Sequence, residues 1–328
     1  MPLLLSQSEL RPLAEDDSAL DGAIDAVEAS LMNSHRGDPG SAIFAGLELS
    51  NDDEIGTCFV ASGAGPASIR IFPSRFDGVR RNSWLGLCLD GKSGEVVSMI
   101  ALDDLNVLRT SVPAALGVKY LAPAQAKTLT VLGSGAQARS HARTFARVMP
   151  DLQSIKVWSP TQAHREAFAA ELARSSSGVA ASAVATIEEA VSEADVITAT
   201  GRYQHGQPAV PDPSLVRAGA LFVSMTASGL NLLGHGARIA IPTLQRPELV
   251  AHGFSSGLLR NAPPPFPPNV LELARVIDGT EPARSSDAQT VVFELAAPYL
   301  WDLPIFGWIT RWAADRGLGQ PYDFSDVR

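Results

Sequence analysis

The stretch Lys127-Thr128-Leu129-Thr130-Val131-Leu132-Gly133-Ser134-Gly135-Ala136-Gln137-Ala138 decides the fold class. A short β-branched and apolar run stops at two glycines and a helix-like segment begins, the pattern of a strand, turn and helix that hold a dinucleotide phosphate. Gly133 permits the tight turn, Gly135 lets backbone approach a pyrophosphate, and the small Ala138 lets helix and strand pack closely. The uncompensated N–H groups at the helix start, at Ala136 and Gln137 beside Ser134, then face the anion. A G-x-G-x-x-A pattern is common by itself, so the chain around it must give it meaning.

Downstream of Pro123 the rhythm is strand, helix, strand, which predicts a parallel α/β sheet of Rossmann type. Strands are expected at Thr128 to Leu132, Ile155 to Trp158, Ala183 to Ala185, Val196 to Thr200, Leu221 to Met225 and Arg238 to Pro242. Helices are expected at Gln137 to Met149, Arg165 to Arg174 and Ile187 to Ser192, and a proline-rich loop at Asn261 to Pro268. From Gln289 to Gly319 the pattern reads as helical and holds Trp301, Phe306, Trp308 and Trp312. Upstream, Leu20, Ile24, Val27 and Leu31 mark an amphipathic helix within residues 8–36. Short apolar runs between turns from about residue 42 to 101 predict a mostly antiparallel sheet, followed by a helix from Leu102 to about Leu121. The fold class is therefore α/β: a parallel-sheet domain plus an α+β domain.

The bulk properties narrow the function. Charged residues make up 19% and hydrophobic residues 45% of 328, an ordinary globular composition. A formal charge of -9 argues against a polyanion-binding surface, so no nucleic-acid partner is expected. No apolar run reaches membrane-spanning length and no signal-peptide pattern opens the chain, which makes the cytoplasm the expected compartment. Cys58 and Cys88 suit a reducing compartment and read as small buried hydrophobes. Among the six histidines, His141 falls in the first Rossmann helix and His205 and His235 in loops; no pair has ligand spacing with a third partner, so no metal is expected. No Gly-x-Ser-x-Gly elbow supports a serine hydrolase.

Taken together, four segments resemble the ornithine cyclodeaminase and mu-crystallin family of NAD(P)-dependent proteins. They are Arg109-Thr110-Ser111-Val112-Pro113-Ala114-Ala115-Leu116, the Gly133 to Ala138 loop, Asp195-Val196-Ile197-Thr198-Ala199-Thr200, and Gly279 to Phe293 around Arg284-Ser285-Ser286. The resemblance implies a substrate-binding and dimerisation domain of residues 1–122 joined by a C-terminal helix in 296–328. Residues 123–295 would form the dinucleotide-binding domain. A homodimer is likewise implied by the resemblance alone.

Arg109 matches the family arginine that grips a substrate carboxylate, for which guanidinium offers two parallel donors; the alternative is a surface or interdomain arginine. Arg70, between Ile69 and Ile71, lies where the family usually has a lysine, and would face the substrate cleft or solvent. Arg75 is a further substrate candidate or part of an exposed loop with Arg80 and Arg81. Thr200 would border the nicotinamide. After the second strand the chain reads Ser159-Pro160-Thr161, with Arg165 nearby and no acid, which favours NADP over NAD. Members of the NADP type often have an arginine where Pro160 stands, and Ser159 and Thr161 could also cap a helix.

In the cyclodeaminases a carboxylate follows the fifth strand, whereas Ser224-Met225-Thr226-Ala227-Ser228-Gly229-Leu230-Asn231 has none. Thr226, Ser228 and Asn231 could line a substrate pocket or satisfy a turn. The reading that follows is hydride transfer: an NAD(P)H-dependent oxidoreductase acting on a small carboxylate-bearing imino acid or ketimine, or on the corresponding amino acid. Its proton would come from solvent, the substrate iminium or a hydroxyl. Cyclodeamination and a non-catalytic, mu-crystallin-like binding role are the alternatives.

Overall fold

The computed structural model describes residues 1–36, 40–49, 53–62, 67–73, 84–175, 178–201, 207–225, 227–242, 270–295 and 299–323. Arg75, Thr226, His205 and the Asn261 to Pro268 loop lie outside these residues, as does the side chain of Cys58. Cα proximity divides the chain into two compact units, Met1–Arg109 with Pro298–Arg328, and Thr110–Ala297.

In the first unit a seven-stranded sheet contains β1 (Leu3–Leu5), β2 (Gly40–Leu49), β3 (Asp53–Ser62), β4 (Ala67–Pro73), β5 (Leu85–Leu89), β6 (Val96–Ala101) and the late strand Gln320–Pro321. The order is Gln320–Pro321, β1, β6, β5, β4, β3, β2. The pairs from β2 to β6 are antiparallel, as the turn-punctuated apolar runs predict, but β1 lies parallel to β6. The first long helix runs Asp17–His35 and buries Leu20, Ile24, Val27 and Leu31 on one stripe. It starts later than the periodicity suggests: Asp16 caps it by accepting from the Ala19 N–H at 3.1 Å, and a 3-10 turn, Arg11–Glu15, precedes it with Pro12 in its first positions.

The helix Tyr299–Ala314 belongs to this unit and packs on the Asp17–His35 helix and on β3 to β6. Its aromatics are the reason for its burial. Trp301 and Phe306 are fully enclosed, and Trp308 comes so close to Gly22 that a Cβ there would stand 3.1 Å from the indole nitrogen.

The second unit is a wholly parallel eight-stranded sheet. Its strands are β7 (Thr128–Leu132), β8 (Ser154–Trp158), β9 (Ala180–Ala183), β10 (Val196–Ala199), β11 (Leu221–Ser224), β12 (Arg238–Ile241), β13 (Leu271–Glu272) and β14 (Val291–Glu294). The order is β13-β12-β14-β11-β10-β7-β8-β9. It reverses between β7 and β10, where a doubly wound sheet opens its ligand crevice. All four residues of β10, β11 and β14 are buried, because a parallel strand covered on both faces reads as a continuous apolar run.

Two sequence expectations are corrected here. The helical pattern from Gln289 yields instead β14, since Val291, Val292 and Phe293 suit the pleated sheet better than a helix surface; the helix begins at Tyr299. The third Rossmann strand is Ala180–Ala183 rather than Ala183 to Ala185, because a run of alanines carries no register signal.

Candidate functional site

The glycine-containing loop follows β7. Gly133 has φ 141°, a backbone that favours glycine, and its N–H donates to the Trp158 carbonyl at 2.8 Å. A Cβ there would lie 2.4 Å from Thr200 Oγ1, so the turn after β7 and the end of β10 meet with no room for a side chain. Thr200 Oγ1 itself donates to the Leu132 carbonyl at 3.3 Å.

Gly135 then precedes the helix Ala136–Val148, with open space where its Cβ would be and no side chain capping the helix start. Uncapped N–H groups behind an open glycine form a cradle for a pyrophosphate, so the residues present fit a dinucleotide. Ala138 is buried against the sheet with His141, Ala142 and Phe145, the stripe that seats the helix. Gln137 Oε1 accepts from Thr110 Oγ1 at 2.6 Å.

At the end of β8, Ser159 is buried and accepts from Ser134 Oγ at 3.1 Å, and its carbonyl accepts from Arg165 Nη1 at 2.9 Å. Thr161 is exposed, and its carbonyl accepts from the Arg165 N–H. Arg139, for which no role was expected from the sequence, reaches back from the helix Ala136–Val148 to the Ser134 carbonyl at 2.7 Å and pairs with Glu171. No acid follows β8 in sequence before Glu166.

The two arginines expected at a substrate carboxylate converge in the first unit. Arg70 Nε donates to Asp302 Oδ2 at 2.7 Å and Arg109 Nε donates to Oδ1 of the same carboxylate at 2.6 Å. The arginines are 4% and 5% exposed and Asp302 is 1% exposed. Arg109 is therefore not at the surface and Arg70 is not on a solvated strand face. In β4 it is Ser68 and Arg70 that point to the buried side, while Ile69 and Ile71 are half-buried. The Arg70 guanidinium also stands over the Trp84 ring, 5.6 Å from its centroid, and Arg109 Nη1 reaches Asn106 Oδ1 at 3.3 Å.

Asp302 escaped the sequence reading. Its signal was nevertheless present: a lone acid in the apolar run Tyr299-Leu300-Trp301-Asp302-Leu303-Pro304-Ile305 requires a cationic partner if the helix is buried.

The stretch after β11 forms a tight turn. Ala227 has φ 58° and is the one non-glycine residue with positive φ among the described residues. The Ser228 N–H donates to Ser224 Oγ at 3.0 Å, while the Ser228 hydroxyl, fully buried, has no hydrogen-bond partner. Asn231 Nδ2 donates to the Val210 carbonyl at 2.9 Å, leaving its Oδ1 without one.

Beneath this turn lies Glu294, the last residue of β14 and 2% exposed. Its Oε1 accepts from the Ala227 N–H at 3.4 Å, the Ser224 hydroxyl donates to the same carboxyl, and Oε2 has no partner. Burial raises its pKa from 4.5 to about 7, against the lowering effect of those two donors. The sequence stretch lacks a carboxylate; the sheet brings one from the neighbouring strand.

Other polar residues hold structure. Arg284 donates to the carbonyls of Gly219 at 2.6 Å and Gln289 at 2.8 Å, and also to that of Leu121. Asp195, at the start of β10, accepts from the Lys127 and Thr128 N–H groups at 2.8 and 3.0 Å, which ties β10 to the start of β7. His141 is buried with Nδ1 2.9 Å from Thr198 Oγ1, and burial lowers its pKa to about 3.

A Delta(1)-pyrroline-2-carboxylate reductase of Bacillus cereus is 24% identical over 256 residues, 72% of either chain. An iminosuccinate reductase of Paracoccus denitrificans is 27% identical over 259 residues, covering 70% of this chain and 71% of that one. Among solved structures, an archaeal alanine dehydrogenase dimer with bound NAD superposes with a TM-score of 0.80 over 98% of this chain and 99% of that one, at 19% identity, a likeness of fold. The model of the ornithine cyclodeaminase/mu-crystallin family matches residues 72–297, and the chain belongs to that family.

Proposed function

We propose that this protein is an NAD(P)H-dependent oxidoreductase that reduces a small carboxylated imine, an imino acid or ketimine, or oxidises the corresponding amino acid. The observation that carries the reading is the cradle after β7, where Gly133 is pressed against Thr200 and an uncapped helix start opens behind Gly135. Relatives named as reductases of a pyrroline carboxylate and of iminosuccinate direct the chemistry to a C=N bond.

In this reading Gly133 to Ala138 hold the pyrophosphate and Thr200 borders the nicotinamide, which when bound supplies the hydride. Ser159, Thr161 and Arg165, with no acid beside them, support NADP over NAD. Arg70 and Arg109 hold the substrate carboxylate. Asp302 engages the Nε of each and so sets the angle at which both guanidinium planes are presented. Arg75, Thr226, Ser228 and Asn231 are the remaining substrate-contact assignments. The main contribution of the protein is orientation of the reacting carbon. A homodimer and a cytoplasmic location belong to the same reading.

A panel of keto acids with amines and of cyclic imino acids, followed with NADPH and NADH in parallel, tests it. Faster consumption of NADPH is expected. Arg109→Lys keeps the charge but not the fork, and should lower kcat/KM on carboxylated imines by about 100-fold while cofactor affinity stays within a few-fold. Activity within a few-fold of wild type would show that Arg109 does not bind the carboxylate.

Glu294 favours a second reading, because it places a carboxyl beneath the turn where the cyclodeaminase acid is missing from the sequence. Conversion of ornithine or lysine to a cyclic amino acid with catalytic NAD and no net change in nicotinamide absorbance would establish it.

A further inference from the structure

Resting on the imine-reductase reading, we propose that Glu294 is the acid that protonates the substrate nitrogen, delivering its proton through Oε2. The placement comes from the sheet. Leu132 pairs with Ala199, Ala199 with Ser224, and Ser224 with Glu294, so these four residues form one row along the carboxyl edge of the strands. At about 4.8 Å per strand, Glu294 stands roughly 10 Å beyond Ala199 on the side away from the phosphate loop. Ligands of doubly wound sheets bind along this edge.

The carboxyl does not behave as a structural group. A buried structural acid engages both oxygens or faces a cation, because a buried polar atom without a partner costs stability. Here Oε1 takes the Ala227 N–H, the Ser224 hydroxyl donates to the carboxyl, Oε2 has no partner, and the pKa is raised by burial with no charged side chain acting on it. Among the described residues, β11 and the turn after it offer the carboxyl the Ser224 hydroxyl and the Ala227 N–H; β12, on the other side of β14, and the 3-10 turn Leu230–His235, which holds His235, also pack on this strand. Such a carboxyl keeps its proton into the neutral range, as a general acid working there requires.

The step moves a proton only. The Glu294 O–H bond breaks, the lone pair of the imine nitrogen forms the N–H bond, and the products are an iminium and the Glu294 carboxylate. No electrons change hands in it, and solvent reprotonates the carboxylate after turnover.

The test uses the whole 328-residue chain. Glu294→Gln should lower kcat in the reductive direction by about 100-fold or more, leave KM and cofactor affinity within about 3-fold, and abolish the alkaline limb of the kcat profile near pH 7. Ser224→Ala removes a donor to the ionised form and should move that limb to higher pH. In the cofactor-free protein, the infrared carbonyl band of a protonated carboxylic acid should fade as pH rises through about 7 and be absent from Glu294→Gln. Should Glu294→Gln fail to fold, Glu294→Asp with a displaced limb and the Ser224→Ala shift carry the test. An unmoved alkaline limb in these variants, or kcat within about 3-fold in Glu294→Gln, overturns the assignment while leaving the reductase reading intact. A wild-type protein that binds NADPH yet reduces nothing in the panel overturns the reductase reading and the donor role with it.

Discussion

Asp302 and Glu294 are both buried carboxylates, close together in sequence, yet they sit in opposite surroundings. Asp302, in the first unit, receives the Nε–H of two guanidiniums. Glu294, in the second, receives a hydroxyl and one long amide contact and keeps an unpartnered oxygen. The first arrangement costs desolvation but is compensated by charge and fixes two long side chains in place. The second is compensated only in part, so its proton takes the role that a counter-charge plays at Asp302. Equal burial thus yields a rigid scaffold in one place and a titratable group in the other.

The sharpest way to break this contrast is Asp302→Ala, which removes the carboxylate that both buried guanidiniums engage and should cost about 3–5 kcal/mol in chemical denaturation. Replacing all three partners, as Arg70→Met, Asp302→Leu and Arg109→Met, should cost less than the single change. If Asp302→Ala lost under about 1 kcal/mol, the carboxylate would not be what holds the arginines.

Next in size is the pH dependence of Glu294. Its folded pKa is raised from 4.5 to about 7, so between these values the unfolded chain gives up a proton that the folded chain keeps. Stability therefore falls as pH rises through that window, and the full cost persists above about 7. Glu294→Gln cannot ionise, and its stability relative to wild type should grow by about 3 kcal/mol across the window, read from denaturation curves at fixed pH steps. A constant difference would mean that the carboxyl is not protonated in the native state.

The smallest effect concerns His141, a third buried titratable group, whose Nδ1 meets only a hydroxyl. Thr198→Val should cost about 1–2 kcal/mol at neutral pH by removing that partner. Here the sign is reversed. The folded pKa lies near 3 against 6.5, so stability is present above about 6.5 and is lost as pH falls, and the variant should keep that acid sensitivity.

Much of the second unit was legible in the sequence. Thr128 to Leu132 emerges with the bounds read from its β-branched run, and Gly133 has the backbone that favours glycine, with open space at Gly135. Less could be read where local pattern is weak or misleading. The alanines of β9 carry no register signal, and Val291 to Glu294 merged into an apparent helix because a short buried strand and a buried helix segment look alike by periodicity. That misreading hid Glu294, since its place beside Ser224 follows only once β14 is known to lie between β11 and β12.

The sequence by itself determined the strand, turn and helix that begin the parallel sheet, and the glycine spacing that admits a phosphate. These depend on φ preference, side-chain periodicity and helix-end N–H groups, all set within a few residues. Tertiary structure alone decided which charges meet. Arg70 and Arg109 reach Asp302 across 232 and 193 residues of chain, and Glu294 comes under the turn after β11 from 67 residues beyond Ala227. The order of strands in a sheet brings such groups together, and no local pattern encodes that order, so the carboxylate missing from one stretch of sequence is supplied by another.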